Sequence, residues 1–241
     1  MDKSDYLEMI EGDSEALLSA AASLPHDNPI AVCDGWTVGD LVAHIGSVWG
    51  IAAANVAAGT GEKTGPADPK PPEDPDRLIE WGASVRATVI EALAKADPAD
   101  SAWSFADNHT AGFWQRRIAQ ETMLHRWDMQ SAALSIDPFY PERAADGIDE
   151  YTKVGLLYSS SKPNRTYPSE SLHLHTTDTE GEWMLASDDG TTVKVTKEHG
   201  KGDAAVRGQA EEVFLWVWGR PAKVEIFGDE SVAAAWQELS P

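Results

Sequence analysis

Glu121 and His125 stand four residues apart in the segment QETMLHRWDMQSA (120–132). On a helix that spacing lets a carboxylate oxygen and an imidazole nitrogen reach one divalent cation. His44, in GWTVGDLVAHIGSVWG (35–50), offers a third donor of the same chemistry. Two imidazoles and one carboxylate leave a tetrahedral ion with an open position, the pattern of a catalytic rather than a structural zinc. The spacing alone is common by chance. A solvated helix-surface pair and a hydrogen-bonded core histidine are the alternatives.

The neighbours of these residues favour the metal. Trp114, Ile118, Glu121, His125, Met129 and Ala132 recur at steps of three and four, on one face of a helix. A carboxylate on an otherwise apolar stripe must find a partner or change its protonation, and a cation serves Glu121 and His125 together. His44 is bounded by Leu41 and Val48, again an apolar face. If the two helices are neighbours in a bundle, His44 completes the set, as facing helices do in bundle metal sites.

Other polar residues carry less. Asp128 lies one turn beyond His125 and can orient that imidazole or pair with a nearby arginine. Asp40 is related to His44 in the same way, but its place as the N3 partner of Thr37 already explains it. His173 and His175 alternate in a strand and share a face. They can bind substrate or face solvent, and a metal there lacks a third ligand nearby in sequence. Cys33, the single cysteine, adjoins Asp34, whose charge raises a thiol pKa and argues against a nucleophile. Trp216 and Trp218 read as core packing.

The elements that must position these residues follow from periodicity. Helices are expected from Lys3 to about Ser23, from Thr37 to about Gly59, over 75–96, from about Thr110 to Leu134, and from Pro141 to about Ser160. Residues 60–75, rich in Gly, Pro and charge, read as a loop. After Lys162 the pattern changes. SLHLHTT (171–177), EWMLA (182–186), TTVKVTK (191–197) and KVEIF (223–227) read as strands; AEEVFLWVWG (210–219) and SVAAAWQEL (231–239) read as helices. The expected organisation is a helical bundle over residues 1–162 and a smaller α+β domain over 163–241.

Composition narrows the partners. A net charge of −21 over 241 residues repels phosphate backbones and anionic lipid, which speaks against nucleic acid and membrane surfaces. One cysteine fits a reducing compartment. The acidic N-terminus lacks the apolar run of a secretory signal, and no stretch reads as long enough to cross a bilayer, so a soluble, cytoplasmic protein is expected.

Several segments resemble one family. GWTVGDLVAHIGSVWG (35–50) and the Glu-x-x-x-His-Arg-Trp-Asp run within 120–132 are similar to the second- and fourth-helix signatures of the mycothiol-dependent maleylpyruvate isomerase family, a branch of the DinB-like metal-dependent four-helix bundles. AADGIDEY (144–151), LHLHTTDTEGEW (172–183), EEVFLWVWGR (211–220) and VEIFGDE (224–230) resemble its later parts. The resemblance implies a metal, usually zinc, held by His44, Glu121 and His125. It also implies a sterol-carrier-like C-terminal domain closing over the cleft, Arg220 as a substrate-binding residue, and mycothiol as the thiol cosubstrate.

Metal chemistry supplies the expected mechanism. A coordinated thiol loses its proton, and the thiolate is the nucleophile, so the chain needs no cysteine of its own. Addition to a conjugated cis double bond permits rotation, and elimination then releases the trans isomer. With a leaving group or epoxide the thiol stays attached, and the reaction is an S-transfer. Partners are then a small electrophilic substrate and a low-molecular-weight thiol, acting on a monomer or homodimer. Two competing readings stand beside this one: a hydrolase that activates metal-bound water, and a non-enzymatic protein whose C-terminal domain holds an apolar ligand.

Overall fold

The computed structural model describes residues 1–63, 70–158 and 164–240. Part of the expected 60–75 loop, the expected end of the fifth helix at Ser160, and the expected 162/163 boundary lie outside the described residues. Contacts between α-carbons divide the chain into two compact units, Met1–Asp137 and Pro138–Pro241. The fifth helix therefore groups with the sheet rather than with the bundle, unlike the expected 1–162 grouping.

The first unit is a bundle of α1 (Lys3–Ala22), α2 (Val38–Ala58), α3 (Leu78–Lys95) and α4 (Ala111–Ala132), with a tight turn at Pro75–Arg77 before α3. Each helix packs on two neighbours, in the cyclic order α1, α4, α2, α3. The start of α2 follows from its sequence. Thr37 Oγ1 accepts from Asp40 N (3.2 Å), and Asp40 Oδ2 accepts from Thr37 N (2.9 Å), a reciprocal cap that satisfies two helix-end donors. Gly59, at φ +63°, ends α2 in the left-handed conformation that glycine adopts without strain.

In length and apolar character α2 is comparable to a membrane-spanning helix, contrary to the expectation that no stretch would be. Its apolar surface faces the bundle: Leu41, Ile45, Trp49 and Ala52 are fully buried. Gly46 lets α3 approach closely, since a β-carbon there would lie 2.4 Å from the Trp81 ring.

Helix α4 also departs from expectation. Trp114, Ile118, His125 and Met129 of the expected stripe are buried, but Ala132 is half-buried, and the helix is enclosed nearly all round. Its buried polar side chains are paired instead. Gln115 Nε2 donates to the Leu93 carbonyl (3.0 Å). The Arg126 guanidinium pairs with Asp13 (2.8 Å) and donates to Gln130 Oε1 (2.6 Å). Paired in this way, polar groups are tolerated in a core.

The second unit holds α5 (Pro141–Glu150), which widens into a looser turn at Tyr151–Gly155 and ends in α6 (Leu156–Tyr158). Strands β1 (Leu172–Thr176), β2 (Glu182–Ala186), β3 (Lys194–Thr196), β4 (Ala204–Gly208) and β5 (Glu225–Gly228) form one sheet in the order β3-β2-β1-β4-β5. Strands β1 and β4 are parallel; the other pairs are antiparallel. Helices α7 (Ala210–Val217) and α8 (Glu230–Gln237) pack against it.

Strand β4 has no counterpart in the sequence reading, because AAVRG is short and weak in β-formers. It is a strand because β1 and β5 flank it. Helix α5 belongs to this unit through its packing on α7 and the Trp183 indole, which donates to Asp149 Oδ1 (3.2 Å); just before the helix, Phe139 meets the Phe214 ring edge-on (5.6 Å). Trp216 and Trp218 are buried, in keeping with a packing role, and Trp218 stacks edge-on against Tyr151 at 5.2 Å.

Side chains alternate across the sheet. Leu172 and Leu174 of β1, Trp183 and Leu185 of β2, and Val206 of β4 share one buried face. His173, His175 and Glu182 lie on the other.

Candidate metal centre

The cap at Thr37 sets the phase of α2, and His44 follows about two turns later. The Trp49 indole donates to Thr122 Oγ1 on α4 at 3.0 Å, with both groups buried. That bond fixes the height of α2 against α4. At that height His44 faces Glu121, and Glu121 faces His125 one turn along.

The three expected donors converge. Glu121 Oε1 lies 3.1 Å from His44 Nε2 and 3.3 Å from His125 Nε2. All three atoms fall within 4.8 Å of one another. Two donors bound at 2.0–2.1 Å to one tetrahedral ion are themselves about 3.3 Å apart. The donor set therefore fits a divalent cation in both chemistry and spacing.

Four further residues shape the site. The Arg117 guanidinium, on the turn of α4 before Glu121, pairs with Glu121 Oε2 and leaves Oε1 toward the imidazoles. Asp128 Oδ2, fully buried, lies 2.9 Å from His125 Nδ1. Asp128 is thus placed to orient that imidazole. Cys33 Sγ is 3.4 Å from the same Asp128 oxygen. Trp36 packs edge-on against His44 (4.9 Å) and stacks on His125 (6.4 Å).

The electrostatics follow from this enclosure. Burial by itself would raise the Glu121 pKa, but the Arg117 guanidinium and the two imidazoles hold it well below the usual carboxylate range. Burial favours neutral His125, yet Asp128 and Glu121 override it and push the imidazole up to about 9. A cation at Nε2 competes with that proton.

Sequence reading missed the roles of Arg117 and Trp36. Arg117 left a signal in its spacing, since an arginine four residues before a glutamate is a helical ion pair. The contact of Trp36 with both rings left none. Arg220 lies in the second unit, after α7, and its Nη1 donates to the Trp218 carbonyl (2.8 Å).

Residues 7–130 match the family model described as the mycothiol maleylpyruvate isomerase N-terminal domain, and residues 143–235 match the MDMPI C-terminal domain. Among solved structures, the chain is similar to the crystal structure of a mycothiol-dependent maleylpyruvate isomerase (TM-score 0.60) and to that of its histidine-to-alanine mutant (TM-score 0.61). Each is 16% identical, and each match covers 94% of this chain and 93% of the other. At that identity the likeness is one of fold. No curated protein matches the sequence.

Proposed function

The chain belongs to the mycothiol maleylpyruvate isomerase family, and on that footing we propose that it is a mycothiol-dependent cis–trans isomerase of small electrophilic substrates, with a divalent cation, zinc, as its metal. One observation carries the reading: His44 Nε2, Glu121 Oε1 and His125 Nε2 meet from two helices at the spacing of ligands to one ion. When bound, such a cation supplies the Lewis acidity that makes a small thiol a thiolate at neutral pH.

The chain's own residues prepare that chemistry. Asp128, hydrogen-bonded to Nδ1, holds that nitrogen as the donor, so that Nε2 is the one a cation would take in place of its proton. Arg117 occupies one oxygen of Glu121, so that the carboxylate ligates through the other. Trp36 covers the imidazoles with an apolar ring and limits water there. Three protein donors leave a fourth position for the thiol. Arg220 takes the substrate carboxylate in this reading, through the two-pronged contact that arginine makes with carboxylates. Its replacement by Lys is then expected to raise KM more than it lowers kcat. A cytoplasmic monomer or homodimer accords with a low-molecular-weight thiol as cosubstrate.

The test is turnover of maleylpyruvate by the full chain, with and without mycothiol, alongside bound-metal analysis of wild type and His125→Ala. Turnover is expected to require both thiol and metal. Loss of a ligand should cost at least the roughly 100-fold that loss of an outer partner can cost. Product that retains the thiol would make the reaction an S-transfer. Hydrolysis without thiol would move the chain to the metal hydrolases. A metal-free wild type that binds only apolar ligands would overturn the enzyme reading.

A further inference from the structure

The outer face of the sheet carries a second set of donors. His173 and His175 alternate along β1 and so share that face, and Glu182 of β2 is the direct partner of His175 in the antiparallel register. The fourth residue arrives from the connection between β3 and β4. There the backbone lies back over the sheet: a β-carbon at Gly200 would sit 3.2 Å from Met184 Cε, and one at Gly202 would sit 3.1 Å from His173 N. Just before them the connection delivers His199, whose ring centre is 5.9 Å from that of His173 and 6.3 Å from that of His175.

The three imidazoles are arranged around Glu182. Its Oε1 is 3.0 Å from His175 Nδ1 and 2.8 Å from His199 Nδ1, and its Oε2 is 3.6 Å from His173 Nε2. One ligand atom from each residue falls within 4.8 Å of all the others. His173 Nε2 is the telling atom. The side chain is 7% exposed, and Nε2 is buried without a hydrogen-bond partner. A buried polar atom left without a partner is destabilising. An ion among these residues would satisfy it and neutralise the carboxylate at the same time.

We propose that His173, His175, Glu182 and His199 form a second, structural binding site for a divalent transition metal of the zinc class. Three imidazoles and one carboxylate are a borderline-soft donor set, suited to zinc rather than to calcium or magnesium. Four protein donors fill a tetrahedral ion, so this site fastens rather than catalyses. What it fastens is the β3–β4 connection, tied by His199 to the two strands beneath. The site is independent of the bundle donors.

Zinc stoichiometry of the full chain tests the proposal, with wild type compared against the double variant His175→Gln/His199→Gln. These side chains are 29% and 82% exposed, so their replacement leaves the core intact. Circular dichroism without zinc checks folding. The variant is expected to hold one zinc fewer than wild type per chain and to lose the zinc-dependent rise in Tm that this site gives. A wild-type total of one instead of two, with the difference of one preserved, would sink the bundle site and leave this one standing. Equal zinc content and equal zinc-dependent Tm shifts in the two proteins would overturn the proposal. Should the double variant misfold, His199→Gln alone, with cobalt replacing zinc, decides between the same outcomes: the visible absorption of one tetrahedral ion is lost if the site exists and retained if it does not.

Discussion

The two histidine clusters are built by opposite means. In the bundle, Glu121 and His125 come from one helix, His44 comes from a second, and the set is enclosed by Arg117, Asp128 and Trp36. In the sheet, donors come from two strands and a connection, and His199 stands largely in solvent. The first has three donors and a neighbouring carboxylate that orients one imidazole; the second has four donors and its glutamate at the centre. Three donors beside an aromatic ring would leave an ion a position for turnover, whereas four donors at a sheet surface would fill it and suit fastening. The contrast teaches that donor type alone does not assign a role. The number of donors and their surroundings do.

Substitutions around each cluster can break that contrast or sharpen it. The largest effect is expected at Arg117. Arg117→Met removes the cation that balances Glu121 in a buried setting, and breaking such a pair costs on the order of 3 kcal/mol. Chemical denaturation of metal-free protein measures this, and added zinc should restore part of the loss. If zinc restores nothing, Glu121 is not a ligand.

Next comes Asp128→Asn. Loss of the carboxylate behind His125 should weaken bundle metal affinity by about 10- to 100-fold while the sheet cluster keeps its zinc. Competition with a chelator separates the two. Equal weakening at both sites would erase the difference between the clusters.

A smaller change is expected from Gly202→Ala. Its β-carbon would meet the Ala204 carbonyl oxygen at 2.7 Å, so the connection carrying His199 must shift. A cost of about 1.4 kcal/mol, within the range for overpacking, corresponds to about tenfold weaker zinc at the sheet cluster. Activity at the bundle should be untouched.

The smallest effect is Thr37→Ala, which removes the cap of α2 and should lower stability by about 1 kcal/mol in thermal unfolding. Because Trp49 still anchors α2 to Thr122, bundle metal affinity should change little. A collapse of that affinity would mean that the cap, rather than the helix packing, holds His44 in place.

Much of the bundle was legible because helical information is local. The Thr37–Asp40 cap, the breaks after Ser23 and at Gly59, and the Glu121/His125 spacing all lie within a turn or two of sequence. The family resemblance pointed to the same donors. Burial of α4 was not legible: a helix with so many polar residues reads as amphipathic, and only its packing shows it to be enclosed, with partners for its buried polar groups drawn from elsewhere in the bundle.

The sheet was harder to read. Alternation placed His173 and His175 on one face, but their companions Glu182 and His199 are supplied by strand pairing and by a connection that folds back. Strand β4 and the allegiance of α5 were likewise decided by non-local contact. Sequence alone therefore determined which residues can ligate and which lie one helical turn apart, because side-chain chemistry and helical periodicity are properties of short segments. Tertiary structure alone decided which of them meet, since pairing between distant strands and the height of one helix against another depend on the packing of the whole core.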